Sequence, residues 1–344
     1  MYHVYMHSEQ AAWWLKSSGL TNYTIIDDFE QWCQLPNKIS IVEVLDFDRE
    51  TKNVVAKCCQ HSDQALLFLP EFVDHSWCQE FDLPNVVFFI GGQLNYRLHY
   101  ADVHLCPYFF WSTTDFYRTN TGILPQLTAV PKPHQFDVLL GRQKPHRTLV
   151  HQQIDHSNNI VTYFPTDQDQ DIRNYNNSEF VWPSAVLDIP SHNVNWTVQE
   201  VLVNGIIVSL SQIVPVDIYN QTNYTLVAET QANNEYSFFT EKIVKPIIAR
   251  RLFVVVSGQY YLQNLRSLGF KTFNTVIDEG YDNEPDLATR VSQVLEQVLY
   301  LSQQDPVKIY ADIDDILIHN HNLMMNHNWQ KEMCKTIANC VNIT

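Results

Sequence analysis

Two segments in the second half of this chain carry cations where an apolar, strand-like run is followed by a helical one. The cations of the first segment, LLGRQKPHR, are Arg142, Lys144, His146 and Arg147. Those of the second segment, FFTEKIVKPIIARR, are Lys242, Lys245, Arg250 and Arg251. Such junctions lie on one edge of a parallel sheet, where helix N-termini add positive dipole ends and Lys or Arg can bind phosphate oxygens. The two segments together therefore predict a diphosphate site.

Carboxylates accompany these cations. Glu229 ends the strand-like run TLVAE, and Glu241 directly precedes Lys242. Acidic residues bind the ribose diol at dinucleotide sites, so either carboxylate could hold a nucleotide ribose. A structural interpretation stays open beside this one, because Lys and Arg at helix starts commonly pair with nearby acids and an exposed run of charge is usually a solvated face.

The composition restricts how a nucleotide could be held. The chain has a formal charge of −16, which repels polyanions and argues against duplex nucleic acid as a partner. It contains nine glycines and has neither a G-x-G-x-x-G nor a Walker motif. Phosphates would therefore be bound by side chains and helix ends.

Length and cysteine content indicate a two-domain protein of a reducing compartment. The 344 residues suffice for two domains of ordinary size. The seven cysteines are odd in number and include no C-x-x-C pair, which is typical of reduced thiols. No secretory signal is apparent and the longest apolar runs are too short to cross a bilayer, so we expect a cytoplasmic protein without a membrane span.

Residues 1–130 are predicted to form an acceptor-side, Rossmann-like domain. Its strand-like runs are YHVYM, ALLFLP, NVVFFIGG and DVHLCPYFF, separated by helical or polar segments. Continuous apolar strands that alternate with helices are typical of a parallel sheet covered on both faces. The Pro-rich connection Ile123–His134 predicts the domain boundary.

Residues 131–309 repeat this alternation and are predicted to form a donor-binding, Rossmann-like domain. The predicted strands are FDVLLG, NIVTYF, TLVAE, LFVVVS and KTF (Lys271–Phe273). The predicted helices are KPHRTLVHQQI, a segment from Thr240, QYYLQNLRSLG and PDLATRVSQVLEQVLYLSQQ. Residues 310–344 are predicted to be helical and to pack back on the first domain. The predicted fold is α/β, with two Rossmann-like domains whose parallel sheets face a ligand-binding cleft.

The segment YTLVAETQANNEYSFFTEKIVKPIIARRLFVVVSG resembles the donor-binding core of GT-B glycosyltransferases of the α-1,3-fucosyltransferase type. That family has an apolar strand ending in Phe-Glu-Asn, a short loop, and Thr-Glu-Lys before a helix; VAET and FFTEK stand in those places. The following YYLQNLRSLGFKTFNTVIDEGYD is similar to uncharacterised phage and bacterial proteins of glycosyltransferase type. The chain departs from the family pattern at Thr230, which replaces the Asn, and at Lys245-Pro246, which replaces a bulky polar pair.

The resemblance implies roles for the predicted donor site. Glu241 would contact the donor ribose, Lys242 would contact the phosphates, and Glu229 would lie near the transferred sugar. An Arg after the first strand of the donor domain would also bind phosphate, with Arg147 as first candidate and Arg142 as second. Thr240 and Lys245 complete the donor-binding set. The implied donor is a GDP- or UDP-sugar, with no bound cofactor.

The implied reaction is an inverting transfer of a sugar to a hydroxyl acceptor. It needs no metal, because Arg and Lys side chains would stabilise the leaving diphosphate. An inverting mechanism needs a general base, for which Glu71, His99 and Asp102 in the first domain are the candidates. A retaining mechanism with Glu229 stabilising an oxocarbenium-like state stays open. The acceptor could be a glycan, a small molecule, a protein or a modified nucleobase.

Two other functional interpretations stay open. The chain could be a non-catalytic sugar- or partner-binding protein on a degenerate glycosyltransferase fold. It could also be a phosphatase-like enzyme built on YADIDDILIHN, whose acids Asp312, Asp314 and Asp315 also resemble a metal-binding Asp-x-Asp motif. The phosphatase interpretation requires this stretch at a strand end, whereas its pattern predicts a helix.

Overall fold

The computed structural model describes residues 1–7, 15, 21–44, 48–70, 74–164, 192–195, 200–203, 206–209 and 213–342. The chain divides into two compact units. Unit 1 comprises Met1–Trp111 and Asn328–Thr344, and unit 2 comprises Ser112–His327. Parallel strands alternate with helices in both units, which confirms the predicted α/β class with two Rossmann-like sheets.

The main sheet of unit 1 has the strand order β2-β1-β3-β4-β5-β7 in the described part of the chain, and every neighbouring pair is parallel. The strands of this unit are β1 (Tyr2–Met6), β2 (Tyr23–Ile25), β3 (Lys38–Glu43), β4 (Gln64–Leu69), β5 (Val86–Ile90), β6 (Gly92–Leu94) and β7 (Asp102–Leu105). Strands β3, β4 and β5 are buried almost throughout, as expected for a sheet covered on both faces. The winding direction reverses between β1 and β3, so the switch point of this sheet lies there.

Three helices of unit 1 begin at acidic caps. Asp28, Asp48 and Asp74 each accept a hydrogen bond from a backbone N–H of the first turn that follows. The helices that start in this part of the chain are α1 (Phe29–Cys33), α2 (Arg49–His61), α3 (His75–Glu80) and α4 (Tyr108–Thr119). The seven cysteines are free thiols.

The main sheet of unit 2 has the order β15-β13-β8-β9, again with parallel neighbours. Its strands are β8 (His134–Arg142), β9 (Ile160–Phe164), β13 (Thr222–Ala228) and β15 (Phe253–Val256). An antiparallel sheet contains β10 (His192–Asn195), β11 (Glu200–Val203) and β12 (Ile206–Ser209), and β14 (Tyr236–Phe238) is a short strand outside both of these sheets. Since β9 lies on one side of β8 while β13 and β15 lie on the other, the switch point is between β8 and β13.

The helices of unit 2 surround this sheet and include the predicted ones. They are α5 (Pro145–Gln153), α6 (Val216–Gln221), α7 (Glu241–Ile248), α8 (Tyr261–Ser267), α9 (Leu287–Ser302), α10 (Pro306–Asp312) and α11 (Asp314–Asn326). Helix α9 buries Val291, Val294 and Val298, which form an apolar stripe at helical spacing. The last helix, α12 (Trp329–Asn342), belongs to unit 1. In the described residues, no helix combines the length and apolarity needed to cross a membrane.

The unit division differs from the predicted domain boundaries. It falls between residues 111 and 112, inside α4, because the predicted linker packs on unit 2. There the side chains of Asn220 and Asn223 accept hydrogen bonds from the backbone N–H groups of Thr128 and Lys132, both at 2.8 Å. The predicted terminal segment is also divided, since residues 310–327 belong to unit 2 and residues 328–344 to unit 1.

Two local differences from the predicted elements have a physical explanation. Lys271–Phe273 is not a strand, because the side-chain amide of Asn320 binds both the N–H and the carbonyl of Lys271 at 2.8 Å and replaces a neighbouring strand. Strands β2 and β3 are not among those predicted from the sequence. Both are held by pairing with β1, which is a long-range interaction.

Candidate functional site

Strands β8 and β13 flank the switch point of unit 2, and the segments that follow them meet there. Lys144 is the residue before α5, at the end of the turn that follows β8. Glu229 and Thr230 directly follow β13 and begin the loop that leads to β14 and α7. In open α/β sheets, ligands bind outside the carboxyl ends of the strands at the switch point. The fold therefore brings both cation-bearing segments to the place where a ligand is expected.

Basic side chains from the β8–α5 junction donate hydrogen bonds to two consecutive backbone carbonyls after β13. Lys144 Nζ donates to the carbonyl of Thr230 at 2.6 Å. His146 Nε2 and Arg147 Nη2 donate to the carbonyl of Glu229 at 2.8 and 3.1 Å. His146 and Arg147 are 3% and 4% exposed, so these bonds fix the junction firmly against the end of β13.

Helix α7 adds a third permanent cation, Lys242, at the same place. The Thr240 hydroxyl caps the helix by accepting a hydrogen bond from the Lys242 N–H at 3.2 Å. Lys242 Nζ lies 3.2 Å from Thr230 Oγ1 and 2.7 Å from Glu241 Oε1, and its side chain is 25% exposed. We name these residues the carboxyl-edge cluster: Lys144, His146, Arg147, Glu229, Thr230, Thr240, Glu241 and Lys242.

Glu229 is completely buried and its carboxylate is fully engaged by protein donors. Oε2 accepts from the Thr240 hydroxyl at 2.6 Å and from the Thr230 N–H at 3.2 Å. Oε1 accepts from the Tyr261 hydroxyl at 2.7 Å and from the Thr240 N–H at 3.3 Å. A carboxylate offers about four acceptor positions, so these bonds occupy the group. Burial raises the pKa of Glu229, against the lowering effect of Lys242 and the hydroxyl donors.

Glu241 is held as a carboxylate by the lysines of its own helix. Burial acts to raise the pKa of Glu241, but the charges of Lys242 and Lys245 outweigh it, and the pKa lies below its ordinary value. Burial lowers the pKa of Lys245, which the neighbouring charge of Glu241 partly offsets. Lys245 therefore acts on this site through its charge near Glu241.

His146 is held neutral at this junction. Burial lowers its pKa from an ordinary 6.5 to about 4, and the charges of Arg147, Lys144 and Arg290 act in the same direction. Its hydrogen bond to the Glu229 carbonyl opposes that shift but does not reverse it. A neutral His146 donates from Nε2, which leaves the permanent positive charge of the junction to Lys144 and Arg147.

The loop after β13 is pressed against the turn that follows β15. Only glycine fits at position 258, because a Cβ there would come within 2.0 Å of the Asn233 carbonyl oxygen. Ser257 Oγ donates to the Gln231 carbonyl at 3.1 Å, and Arg290 Nη2 donates to the Ala232 carbonyl at 3.3 Å. The segment that carries Glu229 and Thr230 is thereby held in one conformation.

The remaining predicted cations are not part of this arrangement. Arg142 is the last residue of β8, and its side chain lies outside the described part of the structure. Arg251 follows α7 and donates to Asp137 at 2.8 Å near the amino ends of the strands. Arg250, also beyond the end of α7, is exposed. Helix α7 is about 12 Å long, so residues at its two ends lie at opposite edges of the sheet.

Of the predicted acceptor-side residues of unit 1, the two that the structure describes lie on the amino side of β7. Asp102 begins β7 in register with Val87, so it lies at the amino edge, away from the switch point. His99 is exposed in the preceding loop, where its backbone N–H donates to Asp82 at 2.6 Å. Glu71 follows β4 but lies outside the described residues.

Glu43 is an acid that the sequence-based candidates do not include. It ends β3 at the switch point of unit 1 and is 6% exposed. The signal for it is the apolar run ISIV, which ends directly in this carboxylate. Because β3 is not among the predicted strands, its last residue was not identified as a candidate.

The acids of the ADIDD stretch lie in helices, as predicted. Asp312 ends α10, Asp314 and Asp315 begin α11, and all three are exposed. Asp315 pairs with Lys271 at 3.3 Å on the surface. The strand end that the phosphatase interpretation requires is not present here. In the described ranges, no group of three or more His, Cys, Asp or Glu side chains is arranged to hold a metal ion.

Comparison with known proteins finds solved structures that are similar to this chain. No protein family and no curated protein sequence matches this chain. A crystal structure of the DNA-modifying enzyme β-glucosyltransferase, in the presence and absence of the substrate uridine diphosphoglucose, matches over 99% of this chain and 99% of that chain. The two are 10% identical in sequence and align with a TM-score of 0.42. A function for this chain must therefore be inferred from its own residues.

Proposed function

We propose that this chain is a glycosyltransferase that moves a sugar from a nucleotide-diphosphate donor to a hydroxyl acceptor. The observation that supports this most is the convergence of Lys144, Arg147 and Lys242 on Glu229–Thr230 at the switch point. Three permanent cations meet here in a chain whose formal charge is −16. Such a concentration of positive charge at a sheet's carboxyl edge suits a diphosphate.

The donor would lie along the carboxyl-edge cluster. Lys144 and Lys242 would exchange their bonds to Thr230 for phosphate oxygens, and the N-terminus of α7 would add its dipole. The ionised Glu241 would accept hydrogen bonds from the ribose diol. Stabilising the leaving diphosphate with side chains and a helix end requires no metal, which suits a metal-independent transferase of the GT-B type. This proposal leaves open whether the nucleobase of the donor is guanine or uracil.

Glu229 acts in this proposal as a positioning residue. Its four hydrogen bonds join Thr230, Thr240 and Tyr261, so it connects the end of β13 to the cap of α7. A carboxylate so occupied is a poor nucleophile or oxocarbenium partner, which favours inversion over retention. The fucosyltransferase-like placement of Glu229 beside the transferred sugar would then be indirect.

The general base would come from unit 1. Glu43 is the better placed of the described acids, because it ends a strand at the switch point, whereas Asp102 lies at the opposite edge. Glu71 stays a prediction beside it. With Glu43 as base, the acceptor hydroxyl could belong to a glycan, a small molecule, a protein or a modified nucleobase.

The engaged state of Glu229 also favours a second candidate, a sugar- or partner-binding protein without catalysis. Both candidates bind a nucleotide diphosphate or its sugar conjugate, and only the transferase releases the nucleotide. Glu43→Gln separates them: in a transferase it should abolish nucleotide release from the donor while leaving nucleotide affinity unchanged. A wild type that binds the donor but releases no nucleotide with any acceptor class would support the binding protein.

The first test is a thermal-shift screen of UDP, GDP, CMP, ADP and dTDP with the full chain. Saturation at about a hundredfold excess over Kd stabilises a protein by about 2.7 kcal/mol. We expect one of these nucleotides to stabilise the wild type, with the effect strongly reduced in Lys242→Met. The exposed Lys308→Met removes the same charge outside the cluster and should respond like the wild type. A wild type that responds to none of the five would contradict the proposal.

A further inference from the structure

The loop after β13 contains a buried amide without a hydrogen-bond partner. Gln231 is 5% exposed, and neither its Oε1 nor its Nε2 has a partner among the described residues. Its backbone is fixed, since the carbonyl accepts from Ser257 Oγ at 3.1 Å. Buried side-chain amides are nearly always paired, because an unmade hydrogen bond in the interior costs stability. An apolar residue of similar size would suit this position better if folding were its only role.

Gln231 directly follows Thr230, the residue at which a series of contacts through the carboxyl-edge cluster ends. Glu241 contacts Lys242, Lys242 contacts Thr230, and Thr230 is the chain neighbour of Gln231. Lys144 meets the same Thr230 from the other junction. The order along this series is therefore a carboxylate, two ammonium groups, and then an unpaired amide.

The order matches the parts of a nucleotide sugar. A carboxylate suits the ribose diol and the ammonium groups suit the diphosphate. Beyond the diphosphate, on the side away from the ribose, such a donor carries its sugar. A carboxamide has both a donor and an acceptor, which complement the hydroxyl groups of a sugar.

We propose that Gln231 is a specificity-determining residue that hydrogen-bonds the hydroxyl groups of the transferred sugar, and this rests on the function proposed above. The unpaired amide is then a functional group whose stability cost is offset when the sugar binds. The nucleotide diphosphate alone does not reach this residue. Gln231 should therefore affect the affinity for the nucleotide sugar and not that for the nucleotide.

The test compares wild type, Gln231→Met and a control, using UDP with UDP-glucose and GDP with GDP-fucose as probes. Met keeps the length of Gln but has no amide, so Gln231→Met should melt about 2–4 °C higher than the wild type. It should bind the accepted nucleotide sugar about tenfold more weakly, and the corresponding nucleotide within about twofold of wild type. The control is Asn264→Leu, since Asn264 is as buried but its Nδ2 donates to Ser237 Oγ at 2.8 Å. Loss of a satisfied amide should lower its melting temperature.

The outcomes separate this inference from the function on which it rests. If the wild type binds neither UDP nor GDP, the proposed donor site is wrong and Gln231 has no sugar to recognise. If a nucleotide binds but Gln231→Met leaves the nucleotide-sugar affinity unchanged, the donor site stands and the inference about Gln231 is overturned. A lower melting temperature for Gln231→Met would also overturn it, because the amide would then have a structural partner.

Discussion

Unit 2 contains two charge clusters at opposite ends of the same strands. At the amino ends, Asp137 on β8 pairs with Arg251, which lies just before β15, at 2.8 Å. The hydroxyl groups of Thr222 and Thr225 also donate to Asp137, at 3.1 and 2.9 Å. We name Asp137, Thr222, Thr225 and Arg251 the amino-edge cluster. It can be compared directly with the carboxyl-edge cluster, since both contain cations of the segment FFTEKIVKPIIARR.

The amino-edge cluster is closed. Each guanidinium nitrogen of Arg251 donates within the protein, to the hydroxyls already named and to the backbone carbonyls of Tyr219, Thr222 and Tyr224. The ring of Tyr219 covers the guanidinium at 4.1 Å. The side chains of Arg251 and Asp137 are 7% and 1% exposed. These buried charges are paired with each other and with protein groups on every guanidinium nitrogen, so their role is structural.

The carboxyl-edge cluster differs in exposure and in the type of partner. Lys242 is one-quarter exposed, and the cations there contact backbone carbonyls and a hydroxyl as well as the Glu241 carboxylate. A phosphate oxygen can replace a neutral oxygen at little cost, whereas it cannot replace a buried carboxylate such as Asp137. The comparison indicates that exchangeable partners, more than the number of charges, distinguish a ligand site from a structural ion pair.

The largest effect should come from breaking the closed cluster. Arg251→Met leaves the Asp137 carboxyl buried without its cation, which should lower the free energy of unfolding by about 3–5 kcal/mol. Nucleotide affinity of the folded protein should stay within about twofold of wild type, because the two clusters are at opposite edges. Urea unfolding and nucleotide titration measure these two quantities.

The double variant Asp137→Asn/Arg251→Met is the matched control for that experiment. It removes both charges, so it should recover part of the lost stability. A single variant that loses less than about 1 kcal/mol, or that loses nucleotide affinity selectively, would contradict the structural assignment of Arg251.

The next largest effect concerns His146 and pH. Its pKa is about 4 in the folded chain, so the unfolded chain binds a proton near pH 6.5 that the folded chain does not bind. Stability is complete above that pH and falls as the pH drops from about 6.5 to about 4, by about 3 kcal/mol at most. His146→Gln keeps a donor for the Glu229 carbonyl and should remove this slope. The free energy of unfolding is measured for the wild type and for His146→Gln at pH 7 and pH 4.5. Because the other titrating groups are the same in both proteins, their contributions cancel in the difference. An equal loss of stability in both proteins would refute the assignment to His146.

Local signals in the sequence were sufficient to predict helix α7 and its N-cap. A Thr before Glu-Lys and an apolar run predicts a helix start, and the structure has Thr240 as the N-cap of Glu241–Ile248. The alternation of apolar runs with helices likewise predicted both parallel sheets. In these places, neighbouring residues decide the structure, so that a single sequence carries enough information.

The engagement of Glu229 and the separation of Arg251 from Lys242 depend on long-range packing. One donor to Glu229, the Tyr261 hydroxyl, is 32 residues away in the chain. Arg251 and Lys242 looked equivalent as cations, but their partners come from strands that lie beside them only in the folded protein. For the same reason β3, and with it Glu43, was not predicted: its hydrogen bonds are made with β1 and β4.

A smaller effect is expected from the cap that connects the two halves of the carboxyl-edge cluster. Thr240→Val removes the helix cap and one donor to Glu229, which should cost about 2 kcal/mol of stability. Because Glu241 and Lys242 are the first residues of α7, nucleotide affinity should fall as well, by about tenfold. Thr240→Ser retains the hydroxyl and should remain close to wild type in both measurements. A loss of stability in Thr240→Ser with no loss in Thr240→Val would assign the effect to packing of the methyl group and not to the cap.

The smallest effect on stability, and a clear effect on binding, is expected for Lys144→Met. Lys144 contacts a backbone carbonyl that phosphate can replace, so its loss should change the free energy of unfolding by less than about 1 kcal/mol. The affinity for the nucleotide diphosphate should fall about tenfold, since a charge-assisted hydrogen bond to phosphate is lost. Lys308→Met is again the control, with no loss of affinity. A large loss of stability with unchanged affinity would make Lys144 resemble Arg251, and the distinction between the open and the closed cluster would then fail at this residue.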